Sequence, residues 1–409
     1  MVNIAIIGGG ASGIMAALIA KNDNNKIDLY EKNSSLGKKL TVSGNGKCNI
    51  TNVNISKNDY FGNNIDFLEI PLQKFDYKKM ENFCNSLGLY LSYGSDGKVY
   101  PRSYEAASVL AVFEESLKRK KVNILLSKEI TGVKKKDNKF IVNIKNEKPQ
   151  IYDKVLVSSG SRAFGKLGAT KISEEIAESF GHNVYESYPA LVQLETKGKK
   201  NSLISGTKIE AKVSIVSKQV KDISVFGDVL FTKYGLSGFA ILDISLYVSK
   251  LLLKEKEVIL SIDMIPEFDK NELYSILLQT CKKNPDYSYE MMLHGLLPMK
   301  VVKLFSSELN FSQKKLGELT IKEIKQSVYA LKEWRWRVVD THGFDFAEVC
   351  GGGVDTTEIK PDSMESKLVK NLYFSGEALD IVGKRGGFNF AFAWTSGYLA
   401  GKSLGKIKK

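Results

Sequence analysis

Residues 3–20 read NIAIIGGGASGIMAALIA, a short apolar run, a glycine loop and an alanine-rich segment. Val2 to Ile7 has the β-branched composition of a central parallel strand, and Ala11 to Ala20 that of a packed helix. The spacing Gly8, Gly10, Gly13 suits a phosphate loop. Gly8 permits the tight turn, Gly10 lets the backbone approach a pyrophosphate, and Gly13 removes a side chain where helix meets strand. The free N–H groups of the first helical turn, from Ala11 and Ser12 onward, then face the phosphates. KIDLYEK (26–32) supplies a second strand ending at Glu31 and Lys32. Glu31 is placed to accept hydrogen bonds from an adenosine ribose. The motif predicts a dinucleotide and does not separate NAD from FAD.

Length and composition bound the rest. A chain of 409 residues is expected to divide into two or three domains. At 43% hydrophobic and 26% charged residues, it has the composition of a globular protein in water. No apolar run approaches a membrane span, and the N-terminus enters a strand without a signal-peptide pattern, so a cytoplasmic protein with no membrane partner is expected. The net charge of +13 invites a nucleic-acid reading, but the excess is lysine spread along the chain. Arginine, the better tool for base edges and phosphate forks, stands only at Arg102, Arg119, Arg162, Arg335, Arg337 and Arg385. KRKK (118–121) closes a predicted helix and KKK (134–136) flanks a hairpin turn, so these read as solvated faces and no specific nucleic acid is expected. An anionic substrate fits the charge equally. Cys48, Cys84, Cys281 and Cys350 form no C-x-x-C, and His182, His294 and His342 have no ligand spacing. Neither a redox disulfide nor a metal is expected, and the chemistry falls to an organic cofactor.

Farther along, SLGKKLTVSGNGKCNITN (35–52) is too rich in glycine and asparagine for a regular element and too long for a turn, which marks a functional loop. Residues 74–87 predict an amphipathic helix stopped by Gly88, and 89–101 a hairpin turning at Asp96-Gly97. Ser103 to Lys120 predicts another helix. Four strands follow in VNILL, EITGVKKK, FIVNIK and DKVLVSSG, the middle pair joined through Asp137-Asn138. Residues 191–265 and 333–344 predict an inserted β domain and 266–332 a helical domain, leaving 1–190 and 345–409 for the nucleotide domain.

The return segment decides the nucleotide. NLYFSGEALDIVGKRGGFNFAFAWTSGYLAG (371–401) passes from a strand through Gly376, Glu377 and Asp380 to an alanine-rich helix preceded by Gly386 and Gly387. An NAD enzyme has no physical need for a second site here. A flavin needs a carboxylate acceptor for its ribityl chain, which Glu377 supplies. The negative charge of its reduced ring at N1 and O2 is favoured by a helix N-terminus, here the N–H groups around Gly387, Phe388 and Asn389. FAD is therefore the expected cofactor.

GGGASGIMAA, GKKLTVSGNGKCNITN, VYPRS, YPALVQL, LFTKYGLSG, GGGVDTTEI and FSGEALDIVGKRGGFNFAFAWTSGYLAG together resemble, in order and over nearly the whole chain, the bacterial flavoprotein family that includes aminoacetone oxidase and the bile-acid 3-dehydro Δ4,6-reductase. The resemblance implies an α/β fold: a Rossmann-type FAD-binding domain formed by both chain ends, an inserted β-barrel-like domain and a small helical domain. It carries over Gly8, Gly10, Gly13 and Glu31 for adenosine and pyrophosphate. Lys38, Lys39, Ser43, Gly44, Asn45, Gly46, Cys48 and Asn49 fall along the cofactor, with Gly160 near it. Gly376, Glu377, Asp380, Gly386, Gly387 and Asn389 fall at the ribityl and ring end. Cys48 reads as a small buried thiol rather than a redox group. Two departures stand out: Ser161 and Lys171 replace glycines of the family pattern after Gly160, and Lys233 and Phe239 replace its histidine and proline.

The expected chemistry is hydride transfer between flavin N5 and a small organic substrate in an interdomain cleft. Tyr100, Arg102, Lys233 and Tyr234 are the cleft candidates, and none is assigned as acid or base. With one complete dinucleotide fingerprint, NAD(P)H enters as a transient electron donor. The alternatives are an oxygen-using amine oxidase of the aminoacetone-oxidase type and a basic RNA-associated flavoprotein with structural FAD. Nothing in the residues sets an oligomeric state.

Overall fold

The computed structural model describes residues 1–198, 200–220 and 222–406; Lys199, Lys221 and 407–409, which the expected domain ranges include, lie outside them. The chain forms two compact units, Met1–Tyr188 with Glu348–Lys409, and Pro189–Ala347.

The first unit is built on a five-stranded sheet in the order Leu372–Phe374, Lys154–Val157, Val2–Ile7, Asn25–Tyr30, Asn123–Leu125. Every pairing in it is parallel. Ile4, Ala5 and Ile6 are fully buried, as a strand covered on both faces requires, which is why the run is continuously apolar. Helix Ala11–Ala20 packs against helix Phe388–Leu404. Small residues make that approach close: a Cβ on Gly397 would stand 2.4 Å from the Ser12 carbonyl oxygen and one on Gly401 2.8 Å from that of Ala16. Both chain ends therefore meet at the opening glycine loop.

The predicted helix at 74–87 is Tyr77–Ser86, started by Asp76, whose side chain accepts the Lys79 N–H. The hairpin pairs Leu91–Tyr93 with Lys98–Pro101 around Ser95–Gly97. The helix expected from Ser103 begins at Ala106, because Tyr104 takes a left-handed φ of 53° before it. Loop 35–52 is more regular than its composition suggests, holding the one-turn helix Lys38–Val42 and the short strand Thr51–Asn52. Strand Gln150–Tyr152, too short to stand out in the sequence, pairs with Lys139–Ile144.

His182 ties down the stretch 358–366 that leads into the return segment. Its Nδ1 lies 2.9 Å from Glu358 Oε2 and its Nε2 2.8 Å from Ser366 Oγ. Ser366 Oγ already accepts the N–H groups of Leu368 and Val369, so its proton goes to Nε2 and the neutral imidazole donates from Nδ1 to Glu358. Burial lowers the imidazole's affinity for a proton below the ordinary value, against the pull of Glu358. The unfolded chain then binds the extra proton first. Stability is expected to fall as pH drops through about 6.5 and to level off below the folded-state value. Urea unfolding of wild type and His182→Gln over a pH series checks this: the difference between the two must depend on pH, and parallel curves would refute it.

The second unit contains a closed barrel ordered Leu194–Thr196, Gly235–Ser237, Ser224–Phe231, Lys208–Val216, Val258–Asp263, Trp334–Thr341. Alternation along the last strand turns Trp334, Trp336 and Val338 inward and Arg335 and Arg337 outward. Leu273, Leu277, Val302, Phe305 and Leu331, from the helices between strands Val258–Asp263 and Trp334–Thr341, join Trp334 and Trp336 in one apolar cluster, so the helical stretch shares the barrel's core. Among the described residues no helix is long and apolar enough to cross a membrane.

Candidate cofactor site

At the phosphate end, Gly8 has φ +108°, and a Cβ there would stand 2.4 Å from the Ser158 carbonyl oxygen. Ser158 Oγ donates to the carbonyls of Ile7 and Gly8, fixing the turn from the neighbouring strand. A Cβ on Gly13 would lie 2.0 Å from the Gly8 oxygen, whereas one on Gly10 would meet nothing within 4 Å. Gly10 precedes helix Ala11–Ala20, and no side chain caps it. The loop thus presents open space to uncapped N–H groups, as an incoming phosphate requires. Glu31 lies at the rim: Oε2 accepts the Gly9 N–H at 3.0 Å, and Oε1 accepts the N–H and Nδ2 of Asn33, each at 2.8 Å. Lys32 is half-buried beside it.

Between the two ends runs a segment of left-handed turns, with positive φ at Gly44, Asn45, Gly46 and Cys48. Ser43 Oγ donates to the Leu40 carbonyl, closing the short helix that carries Lys38 and Lys39. Lys39 Nζ and Ser161 Oγ both donate to Glu377 Oε2, at 2.8 and 2.6 Å. Ser161 is a residue that sequence reasoning did not place in the site, because its partner lies 216 positions away. Gly160 has open space where a side chain would stand.

At the far end, Gly376 has φ +66° and donates its N–H to Ser396 Oγ. Asp380 accepts the N–H and Nδ2 of Asn63 through Oδ2, both at 2.8 Å, and so holds the 376–383 loop. Gly387, at φ +100°, would press a Cβ within 2.4 Å of the Thr51 oxygen. It starts helix Phe388–Leu404, and again no side chain caps it. Asn389 points away from the first turn's N–H groups, clamping the Gly383 N–H and carbonyl at 2.7 and 2.8 Å. Asn49 Oδ1 is buried without a hydrogen-bond partner and stands 2.9 Å from where a Gly387 Cβ would be. An orphaned acceptor beside an uncapped helix start is what a site shaped for a polar ring leaves behind.

Burial pushes the thiols of Cys48 and Cys350 up to about 11 and that of Cys84 up to about 12, so all three remain protonated at neutral pH. Cys350 lies against Ser161, near Lys39 and Glu377, a juxtaposition its sequence context does not announce.

Tyr100 and Arg102 stand on the 91–101 hairpin and its exit, with Tyr100 Cε1 3.4 Å from a Cβ built on Gly44. Lys233 and Tyr234 lie in the barrel unit, where Tyr234 stacks on His342 at 4.2 Å and His342 Nδ1 lies 3.1 Å from Glu195 Oε1. His342, at which the sequence shows no metal-ligand spacing, is part of an aromatic cluster with Tyr234 and Phe346.

A Rossmann-type sheet and two uncapped helix starts, together with a family match and a full-length relative, make the chain a Rossmann-type FAD-dependent oxidoreductase. The chain belongs to the HI0933-like family, its residues 2–403 matching that family's "HI0933-like protein Rossmann domain". It is 34% identical to the 3-dehydro-bile acid delta(4,6)-reductase of Clostridium scindens, over 98% of this chain and 99% of that protein. It is 28% identical to the ribosomal RNA dihydrouridine synthase of Escherichia coli, over 98% and 97%. Among solved structures, the 3-ketosteroid-delta4-(5alpha)-dehydrogenase of Rhodococcus jostii RHA1 aligns over 99% of this chain and 97% of its own, with TM-score 0.47 and 12% identity.

Proposed function

We propose that this flavoenzyme saturates a carbon–carbon double bond conjugated to a carbonyl, and that NAD(P)H renews the reduced flavin. When bound, FAD supplies hydride chemistry at N5. The observation that carries the reading is the uncapped start of helix Phe388–Leu404, a fixed positive end that favours the charge of a reduced ring. The names of two full-length relatives point the same way, since a delta(4,6)-reductase and a dihydrouridine synthase both leave a conjugated double bond saturated.

In this reading Gly8, Gly10 and Gly13, with the N–H groups of Ala11 and Ser12, take the pyrophosphate, and Glu31 with Lys32 edges the adenosine ribose. Lys38, Lys39, Ser43 and the segment Gly44–Asn49 run along the cofactor, and Gly160 and Gly376 leave it room. Glu377 accepts from the ribityl chain. Gly386 and Gly387 let the chain bend so that the N–H groups of Phe388 and Asn389 reach the ring. Asp380 positions this loop through Asn63. The protonated, buried Cys48 packs and does not react.

The substrate is a small enone or ketosteroid-like molecule. A second carrier of the same bond, uracil within RNA, is supported by the full-length relative named a ribosomal RNA dihydrouridine synthase. The purified protein is expected to show a flavin spectrum that bleaches on anaerobic addition of NADPH or NADH and returns on addition of a conjugated enone, but not of its saturated ketone. A spectrum that both nucleotides leave unchanged, with oxygen consumed on addition of a primary amine, would replace the reductase with an amine oxidase.

A further inference from the structure

Hairpin register sorts the residues of the 90–104 segment onto two faces. Leu91 pairs with Pro101, Ser92 with Tyr100 and Tyr93 with Val99. The Arg102 N–H donates to the Tyr90 carbonyl at 2.8 Å, extending the ladder by one step and setting Tyr90 across from Arg102. Leu91, Val99 and Pro101 face the interior, Val99 and Pro101 fully so. The other face carries Tyr90, Arg102, Ser92, Tyr100 and Lys98.

That face is aromatic, cationic and open. Tyr90 is 65% exposed and Tyr104 42% exposed. Tyr104 extends the surface, its ring 5.6 Å from that of Tyr100 and its hydroxyl 3.0 Å from Ser92 Oγ. Arg102 is exposed and makes no ion pair among the described residues. Lys98 pairs with Asp96 at 3.2 Å, the nearby carboxylate on the turn. At Lys98 the face adjoins the Gly386 turn. Asn52 pairs with Lys98 across the neighbouring strand and donates through Nδ2 to the Gly386 carbonyl at 3.0 Å. Lys98 Cε stands 3.9 Å from a Cβ built on Gly386.

We propose that this face, carrying Tyr90, Tyr100, Arg102 and Tyr104, docks single-stranded RNA. Exposed tyrosines offer flat surfaces for unpaired bases, while an unpaired guanidinium opposite a tyrosine suits a phosphate next to a stacked base. Solvated lysines elsewhere on the chain explain a general affinity for polyanions; they do not explain three tyrosine rings interleaved with Arg102 and Lys98 on one sheet face leading to Gly386. The inference rests on the uracil reading of the substrate.

The test is fluorescence anisotropy of a labelled, uridine-containing single strand and of the matching duplex, across a salt series. The single strand is expected to bind more tightly. Tyr90→Ala is expected to weaken it about tenfold, while Tyr90→Phe, which keeps the stacking ring, binds as wild type does. Arg102→Ala is expected to reduce the slope of log affinity against log salt by about 1. Reduction of the flavin by NADPH in Tyr90→Ala is followed in parallel and should match wild type. Equal binding of duplex and single strand, or of Tyr90→Ala and wild type, overturns the docking face even if the flavin bleaches and an enone restores it. Loss of bleaching with Tyr90-dependent RNA binding intact would instead overturn the redox reading and leave the docking face standing.

Discussion

Gly13→Val is expected to give a protein that retains no FAD and is destabilised by about 3 kcal/mol or more. A Cβ at this position would stand 2.0 Å from the Gly8 carbonyl oxygen and 2.8 Å from Ser158 Oγ. The closer neighbour is backbone and cannot rotate away. Gly8 is itself held by its N–H bond to the Tyr30 carbonyl at 2.8 Å and by the Ser158 hydroxyl, so relief requires opening the turn between strand and helix. Gly10→Ala separates folding from binding in the same loop. Its φ of −81° admits alanine, and the added methyl meets nothing within 4 Å. Stability should therefore stay within about 0.5 kcal/mol of wild type, while the methyl takes space meant for a phosphate and weakens FAD binding. The ratio of flavin to protein absorbance, with urea unfolding of each variant, checks both. Stoichiometric FAD on Gly13→Val would mean that the loop does not approach the cofactor as argued.

Glu377→Ala is expected to weaken FAD binding by about 10- to 100-fold, the value of one hydrogen bond to a charged acceptor in a partly buried site. Glu377 Oε2 gathers the Lys39 ammonium and the Ser161 hydroxyl, which fixes its direction and leaves the carboxylate able to accept more. The side chains of Glu377 and Lys39 are 18% and 30% exposed, a partly buried pair, so removing the carboxylate also lowers stability by leaving the Lys39 ammonium and the Ser161 hydroxyl without their acceptor. Urea unfolding of each variant separates that loss from the loss in binding. Glu377→Gln keeps one acceptor oxygen and is expected to fall between the two. Fluorescence titration of deflavinated protein with FAD measures all three, and wild-type affinity in Glu377→Ala would reduce this residue to a partner of Lys39.

What could be read from the sequence alone was local. The Gly8–Gly10–Gly13 spacing, the hairpin at Asp96-Gly97 and the glycines before the last helix are legible because each depends on backbone freedom or side-chain period within a few residues. Their order along the chain also sufficed for FAD, since a phosphate loop at one end and a helix start at the other match a cofactor with two polar ends. Tertiary structure decided the rest. Ser161 meets Glu377 across 216 positions and Asn63 meets Asp380 across 317, distances at which no periodicity links the residues. Strand Gln150–Tyr152 is set by its pairing partner, and the helix at Lys38–Val42 by the turns on either side of it. Tyr90 and Arg102 lie 12 residues apart, with nothing in the sequence to join them. Register set them opposite each other, because the backbone hydrogen bonds of a hairpin decide which side chains share a face.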